Sequence, residues 1–318
     1  MMSTQLLEMV VARREEQGHG VVVLDLLPAD NHDVPVFTAG AHIDVHLEGG
    51  FVRQYSLCGD PAQTGRYRIG VLKDPASRGG SLAVHDQLRE GSVVRVSAPR
   101  NLFPLATDAA RSLLIGGGIG ITPMIAMAYA LHRQGAPFEL HYCARSESRS
   151  AFVDDLRAAP FASCVHTHFS EQKGRLDMAS VLGAGAPGVH VYTCGPAGFM
   201  DSVIASARQA GYPEAQIHRE YFSAEVDAGG DSFELVASRS GKVVQVAADQ
   251  TMVQALASVG IKMEVSCEQG VCGTCLCDVL EGEPDHRDVY LTDEEKAAND
   301  QVLTCCSRAR SARLVLDI

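Results

Sequence analysis

The sequence predicts a multidomain fold of three parts in series: an antiparallel β-barrel, an α/β unit with a parallel sheet, and a small α+β unit carrying a cysteine cluster. Three observations predict it. Up to about Pro104 apolar and polar residues alternate in short runs, HIDVHL, YRIGVLK and SVVRVSA, separated by Gly, Pro and Asp turns. That is the pattern of a small closed antiparallel sheet. From Ser112 the pattern becomes strand then helix, with SLLIGGGIGITPM running into IAMAYALHRQ and further strands at ELHYCA and VHVYTCG. Such alternation builds a parallel sheet. Near Glu225, EVDAGGDS has the polar, glycine-containing composition of a flexible connector, and beyond it SFELVASRSGKVVQVAADQTMVQALASVG reads as a hairpin and a short helix. The expected divisions are 1–105, 106–225, a linker at 226–231, and 232–318.

Composition narrows the class. With 318 residues, 46% hydrophobic and 21% charged, the chain can bury ordinary cores. Apolar stretches are interrupted by Gly, Pro or charge well short of the ~20 residues a membrane span needs. The start, MMSTQLLEMVVARREEQ, has no basic segment followed by a long apolar core, so a cytoplasmic location is expected. Ten cysteines in a reducing compartment point to metal binding, redox chemistry or burial rather than a disulfide framework. A net charge of −12 argues against nucleic acid as a partner. Residues 232–318 hold 14 Asp and Glu against 8 Lys and Arg, half of that excess, so a partner docking there should be basic.

The cysteines carry the most specific signal. In CEQGVCGTC, Cys267, Cys272 and Cys275 are separated by four and then two residues, and Cys305 follows at a long interval. This is the plant-type spacing for a 2Fe-2S cluster. One loop wraps the cluster, a distant strand supplies the last thiolate, and Gly270 and Gly273 let the loop fold tightly with amides facing sulfur. Zinc is the rival, but zinc ribbons bring two chelating pairs, and the adjacent Cys305 and Cys306 have a poor bite for one tetrahedral ion. Cys277 and Cys306 are left over and read as packing residues.

Upstream, GGGIGITPM follows a buried strand and opens a helix, where bare backbone can approach a pyrophosphate and the helix dipole favours its charge. The match to GxGxxG is not strict, and a tight turn is the alternative. VYTCGPAGFM ends another apolar strand at Cys194, Gly195 and Pro196, on the edge where ligands collect in open α/β sheets, a strand-ending turn with a buried thiol being the alternative. In the barrel, RQYSL presents a cation, a flat ring and a hydroxyl at Arg53, Tyr55 and Ser56. SRGGSL sets Arg78, Gly79, Gly80 and Ser81 before a helix start, a phosphate-shaped arrangement of amides, hydroxyl and guanidinium. Singly, each reads sooner as a surface ion pair or a helix cap, and only together do they form a set.

In this order, RQYS, SRGGS, GGGIGITPM, CGPAGFM and CEQGVCGTC with the distant Cys305 resemble the phthalate dioxygenase reductase family over essentially the whole chain. The resemblance implies an FMN-binding barrel, an NAD-binding domain and a β-grasp-like ferredoxin domain. It further implies electron delivery to a separate Rieske-type non-heme iron oxygenase acting on an aromatic acid or its methoxy group. The flavin residues it implies are Arg53, Tyr55, Ser56, Val71, Lys73, Arg78, Gly79, Gly80 and Ser81, with Phe222 shielding the flavin ring, a core aromatic at a strand end being the alternative for Phe222. The nucleotide residues it implies are Gly117, Gly118, Gly120, Thr122 and Pro123, with Cys194 and Gly195 near the nicotinamide. Relatives that prefer NADH often carry an acidic residue after the third strand of the nucleotide domain. Here HYCARSESRS offers Arg145 and Ser146 first, which would suit a 2′-phosphate, so NADH is expected over NADPH on the resemblance alone.

The resemblance has a physical logic. Nicotinamide gives a hydride and a 2Fe-2S cluster accepts one electron, so a flavin, which handles both, belongs between them. No side chain need act as acid or base. A stand-alone reductase acting on a small acceptor is the alternative, though the sequence shows no separate pocket for one.

Overall fold

The computed structural model describes residues 6–30, 33–75, 79–222, 227 and 229–318. Arg78 and most of the first half of the connector lie outside the described residues. The chain forms two compact units, Met1–Glu220 and Tyr221–Ile318.

The first unit begins with β1 (Leu7–Gln17), β2 (Val21–Pro28), β3 (Ala41–His46), β4 (Val52–Ser56) and β5 (Tyr67–Leu72). Helix α1 (Gly80–Gln87), β6 (Val93–Val96) and β7 (Arg100–Asn101) follow. The strands pair antiparallel in the order β4-β3-β6-β1-β2-β5, with β7 on β3. A bridge between Leu57 and Ile69 joins the two ends. This closes the barrel and leaves no long edge. The alternation read from the sequence fills its interior: Met9, Val11, Leu24, Ile43, Val45 and Ile69 are wholly buried. Burying each such side chain is worth about 1.5–3 kcal/mol.

The chain then builds the parallel sheet of β8 (Arg111–Gly117), β9 (Phe138–Ala144), β10 (Val165–Phe169), β11 (Val189–Cys194) and β12 (Ile217–Glu220), in the order β10-β9-β8-β11-β12. Helices α2 (Ile121–Gln134), α3 (Val153–Ala158), α4 (Ser170–Lys173), α5 (Met178–Leu182) and α6 (Ala197–Gln209) connect the strands. The order reverses at β8, placing a switch point between the ends of β8 and β11. Barrel and parallel sheet share one apolar core that runs from Met9 and Ile69 through Met124 and Leu140 to Tyr142. The change of pattern near residue 105 thus separates two sheets but not two cores.

The second unit contains β13 (Phe233–Ala237), β14 (Lys242–Val246), α7 (Met252–Ser258), β15 (Leu276–Glu281) and β16 (Pro284–Asp285). It continues with α8 (Asp293–Ala298), β17 (Gln301–Leu303), β18 (Arg308–Ala309) and β19 (Arg313–Leu316). Its main sheet is mixed, ordered β14-β13-β19-β15-β17, and α7 packs Met252, Ala255 and Leu256 into its core. The hairpin and helix expected after the connector are β13, β14 and α7. The connector itself is less free than its composition implies. Arg287 donates to the carbonyls of Asp227 and Gly229, and Arg308 to that of Asp231, so guanidinium groups tether backbone that polar, glycine-containing sequence leaves unpaired.

Candidate functional site

Strands β8, β9 and β11 end on one edge of the parallel sheet. After Gly117 the chain makes one 3₁₀ turn, Gly118–Gly120, and enters α2. The glycines are required by contact. A Cβ on Gly120 would meet the carbonyl carbon and oxygen of Cys194 at 2.4 Å, and one on Gly117 would meet the Phe199 ring at 2.7 Å. Gly195 sits at φ +155°, where a Cβ would press on the Gly117 carbonyl oxygen at 3.0 Å. The glycine loop and the CGP turn, read separately in the sequence, therefore form one bare-backbone surface at the switch point. Thr122 is buried and donates from Oγ1 to the Ile119 carbonyl at 3.0 Å, while Pro123 occupies the first turn of α2, where no N–H is needed.

The surroundings of Cys194 are now defined, and one expectation, the strand that Arg145 and Ser146 follow, changes. Cys194 is wholly buried, and burial, helped by Glu220, pushes its thiol well up. Its side chain packs beneath the turn while its backbone shapes the surface. Arg145 and Ser146 follow β9, which is the second strand of this sheet in chain order and neighbours β8. Arg145 is exposed there and Ser146 half-buried.

On the barrel, Arg53 and Tyr55 are half-buried on β4, and Ser56 is buried. The Arg53 guanidinium lies over the Phe51 ring at 5.6 Å. Glycines 79 and 80 open α1 against this pair: Cβ atoms there would meet the Phe51 ring at 2.8 Å and the Arg53 side chain at 2.5 Å. The helix start and the guanidinium are thus side by side, a cradle fit for an anionic phosphate. The Ser81 hydroxyl is engaged, accepting from the Asp74 N–H at 3.2 Å. Val71 is buried with its carbonyl 3.0 Å from His85 Nε2, and Lys73 is exposed. Phe222, in the second unit, is 37% exposed.

One polar residue escaped sequence reading. Ser56 Oγ donates to Glu220 Oε2 at 3.1 Å, linking barrel strand β4 to the last strand of the parallel sheet, 164 positions away. Glu220 also pairs in register with Cys194. Although the residue is only half-buried overall, its carboxyl is enclosed, and burial pushes its pKa up to about 8 against the lowering effect of Ser56. The folded state holds this proton more tightly than the unfolded chain, so its stabilisation is full below pH 4.5 and is lost as pH rises towards 8. Glu220→Gln, which cannot ionise, should flatten that decline. Between pH 5 and 8 the parent protein is expected to lose about 5 °C more in Tm than the variant, and equal slopes would show that Glu220 ionises normally.

In the second unit the four spaced cysteines converge. Cys267 lies within hydrogen-bonding reach of Cys272 and Cys305, and Cys305 within reach of Cys275. All four are buried. Backbone amides aim at the sulfurs, Gln269 N–H donating to Cys267 Sγ at 3.3 Å and Thr274 N–H to Cys272 Sγ at 3.5 Å. Gly270 and Gly273 take φ of +70° and +71°, and Cβ atoms there would strike Cys306 Sγ at 2.6 Å and the Tyr290 ring at 2.4 Å. Clustered thiols with inward N–H donors fit an iron–sulfur group. Cys305 and Cys306 lie in a turn after β17, not on a strand as the spacing implied. Alternation of strand faces therefore does not separate them. Cys277 packs into the apolar core of the sheet.

Comparisons with known proteins show what the chain is similar to. The profile of the 2Fe-2S iron-sulfur cluster binding domain matches residues 236–310, and that of the N-terminal domain of dimethylamine monooxygenase subunit DmmA-like proteins matches 96–217. A vanillate O-demethylase oxidoreductase of Pseudomonas sp. (strain HR199 / DSM 7063) is 51% identical over 317 residues, covering 98% of this chain and 100% of that protein. The crystal structure of phthalate dioxygenase reductase, described as a modular structure for electron transfer from pyridine nucleotides to 2Fe-2S, superposes with a TM-score of 0.77 at 37% identity, over 98% of each chain. An intact type IV self-sufficient cytochrome P450 monooxygenase gives a TM-score of 0.87 at 38% identity; the match covers 98% of this chain but 41% of that one.

Fold and sites define a modular electron-transfer oxidoreductase, in which a flavin- and nucleotide-binding reductase unit is joined in one polypeptide to a 2Fe-2S domain. The chain belongs to the phthalate dioxygenase reductase family. Among the described residues, no helix is long and apolar enough to cross a membrane.

Proposed function

We propose that the protein is the reductase component of a Rieske-type oxygenase, taking electrons from NADH through FMN and a 2Fe-2S cluster to that partner. The observation that carries this reading is the joining, in one chain, of a bare-backbone nucleotide surface, a phosphate cradle and a four-thiol loop. When bound, the flavin supplies the step from hydride to single electrons. The protein's residues bind and orient. The glycine loop and CGP turn receive the pyridine nucleotide, Arg53 with Gly79 and Gly80 receives the flavin phosphate, and the Ser56–Glu220 pair bridges barrel and sheet between them. Phe222 covers the flavin face in this reading, and Cys267, Cys272, Cys275 and Cys305 hold the iron.

FMN is favoured over FAD because Arg53, Gly79 and Gly80 suit a terminal phosphate and the sequence motifs include none for an adenine half. Chromatography of the flavin released on denaturation decides this, and FAD would overturn it. NADH over NADPH rests on the family, with Arg145 against it. The ratio of the two kcat/KM values is expected to favour NADH and to rise further in Arg145→Asp, since the added carboxylate repels a 2′-phosphate. An unchanged ratio removes Arg145 from nucleotide selection.

The partner is proposed from the 51% identical relative, named for vanillate O-demethylation. Reconstitution with a vanillate-demethylating oxygenase should give NADH-dependent loss of vanillate. Coupling only to a heme monooxygenase, the partner fused in the self-sufficient cytochrome P450, would overturn the Rieske assignment. The ten cysteines, all free thiols in the structure, accord with a reducing, cytoplasmic setting.

A further inference from the structure

A cluster of imidazoles lies on two neighbouring strands of the parallel sheet. Strand β9 carries Glu139 and His141, and the neighbouring edge strand β10 carries His166 and His168. The two strands run parallel with His166 directly opposite His141. Side chains alternate along a strand, so positions two apart share a face and the register brings all four to one side of the sheet. One ligand atom from each of Glu139, His141 and His166 lies within 4.8 Å of the other two. His141 is at the centre: Nε2 is 3.1 Å from Glu139 Oε2, and Nδ1 is 3.1 Å from His168 Nε2. Its ring stacks with those of His166 and His168 at centroid distances of 4.9 and 5.3 Å. Arg111 engages the other carboxylate oxygen, Oε1, leaving Oε2 turned to the imidazoles.

We propose that Glu139, His141 and His166 form a binding site for a divalent transition-metal ion of the zinc class, with His168 positioning the central ligand. Two imidazoles and one carboxylate, with a fourth position left to water, is a donor set that zinc accepts. Ligands around one zinc lie about 3.3 Å apart, so the set must contract, and a rotation of the exposed His166 ring brings it in. Binding through His141 Nε2 requires that its proton rest on Nδ1, where it donates to His168 Nε2. That is the outer hydrogen bond that fixes tautomer and ring orientation in zinc sites. The nucleotide surface lies at the strands' carboxyl ends: Gly117 is level with Cys143, two residues or roughly 7 Å beyond His141, and Arg145 lies two residues further on. The ligand set therefore shares no residue with the proposed nucleotide surface.

The test is a zinc chloride titration of the tag-free, fully loaded protein, followed by calorimetry against a competing chelator and by zinc K-edge absorption. One equivalent bound through nitrogen and oxygen is expected. Affinity should fall at least tenfold in Glu139→Gln and His166→Ala, and measurably in His168→Ala, with flavin and cluster absorbance and Tm unchanged. Both ligand variants replace partly or fully exposed side chains, so folding should survive. Sulfur ligation, loss of iron on zinc addition, no saturable binding at 100-fold excess zinc, or undiminished affinity in the Glu139→Gln/His166→Ala double variant would each overturn the site.

Discussion

Cys305→Ser is expected to abolish the visible cluster spectrum and electron transfer to cytochrome c or an oxygenase partner, while NADH-driven reduction of ferricyanide through the flavin continues. The reason is coordination chemistry: a hydroxyl is a poor substitute for a soft thiolate on iron. Cys305 is within reach of both Cys267 and Cys275, so its loss leaves the other three thiols one ligand short. The flavin should remain because its proposed cradle belongs to the first compact unit and the thiols to the second. The same outcome is expected for Cys267, Cys272 and Cys275. Cys277→Ser and Cys306→Ser should retain the spectrum. Cys306 is the sharper control, since its Sγ lies 3.7 Å from Ser307 Oγ, where it can satisfy itself without iron. If Cys306→Ser bleached the protein and Cys305→Ser did not, the fourth ligand would be misassigned by one residue.

Gly120→Ala should cost nucleotide binding and stability together. The added methyl would lie 2.4 Å from the Cys194 carbonyl carbon and oxygen and 2.6 Å from the Gly195 nitrogen. These are backbone atoms at the end of a central strand, and they cannot rotate away as a side chain does. The loop or the CGP turn must move, at a cost of about 1–3 kcal/mol, or about 2–10 °C in Tm for a unit of this size. Because both segments form the proposed nucleotide surface, KM for NADH should rise about tenfold or more, with the cluster spectrum untouched. Gly118→Ala separates the effects: nothing lies within 4 Å of its Cβ position, though φ is +57°, so strain without collision should lower Tm less. A normal KM in Gly120→Ala would place the nucleotide elsewhere.

Much of this architecture was legible in the sequence because its signals are local. Alternation over four to six residues sets which face of a barrel strand is apolar, and β3 to β6 fall where HIDVHL, RQYSL, YRIGVLK and SVVRVSA predict them. The cluster loop was legible because three of its thiols fall within nine residues. The run of glycines marked the strand-to-helix turn because only residues without a Cβ tolerate the contacts made there.

What the sequence by itself determined is therefore the order of the parts, the strand and helix periods, and the chemistry of each motif, all properties of short segments whose side chains answer to their own backbone. Only the tertiary structure decided which motifs meet and in what surroundings. It joined the glycine loop to the CGP turn, placed Glu220 on Ser56 across 164 positions, buried the Cys194 thiol at the end of its strand, put Cys305 and Cys306 in a turn, and gathered His141, His166 and His168 from two strands. Contacts of that range depend on strand order, register and burial, and these are set by how whole sheets close and pack, not by any pattern a single segment carries.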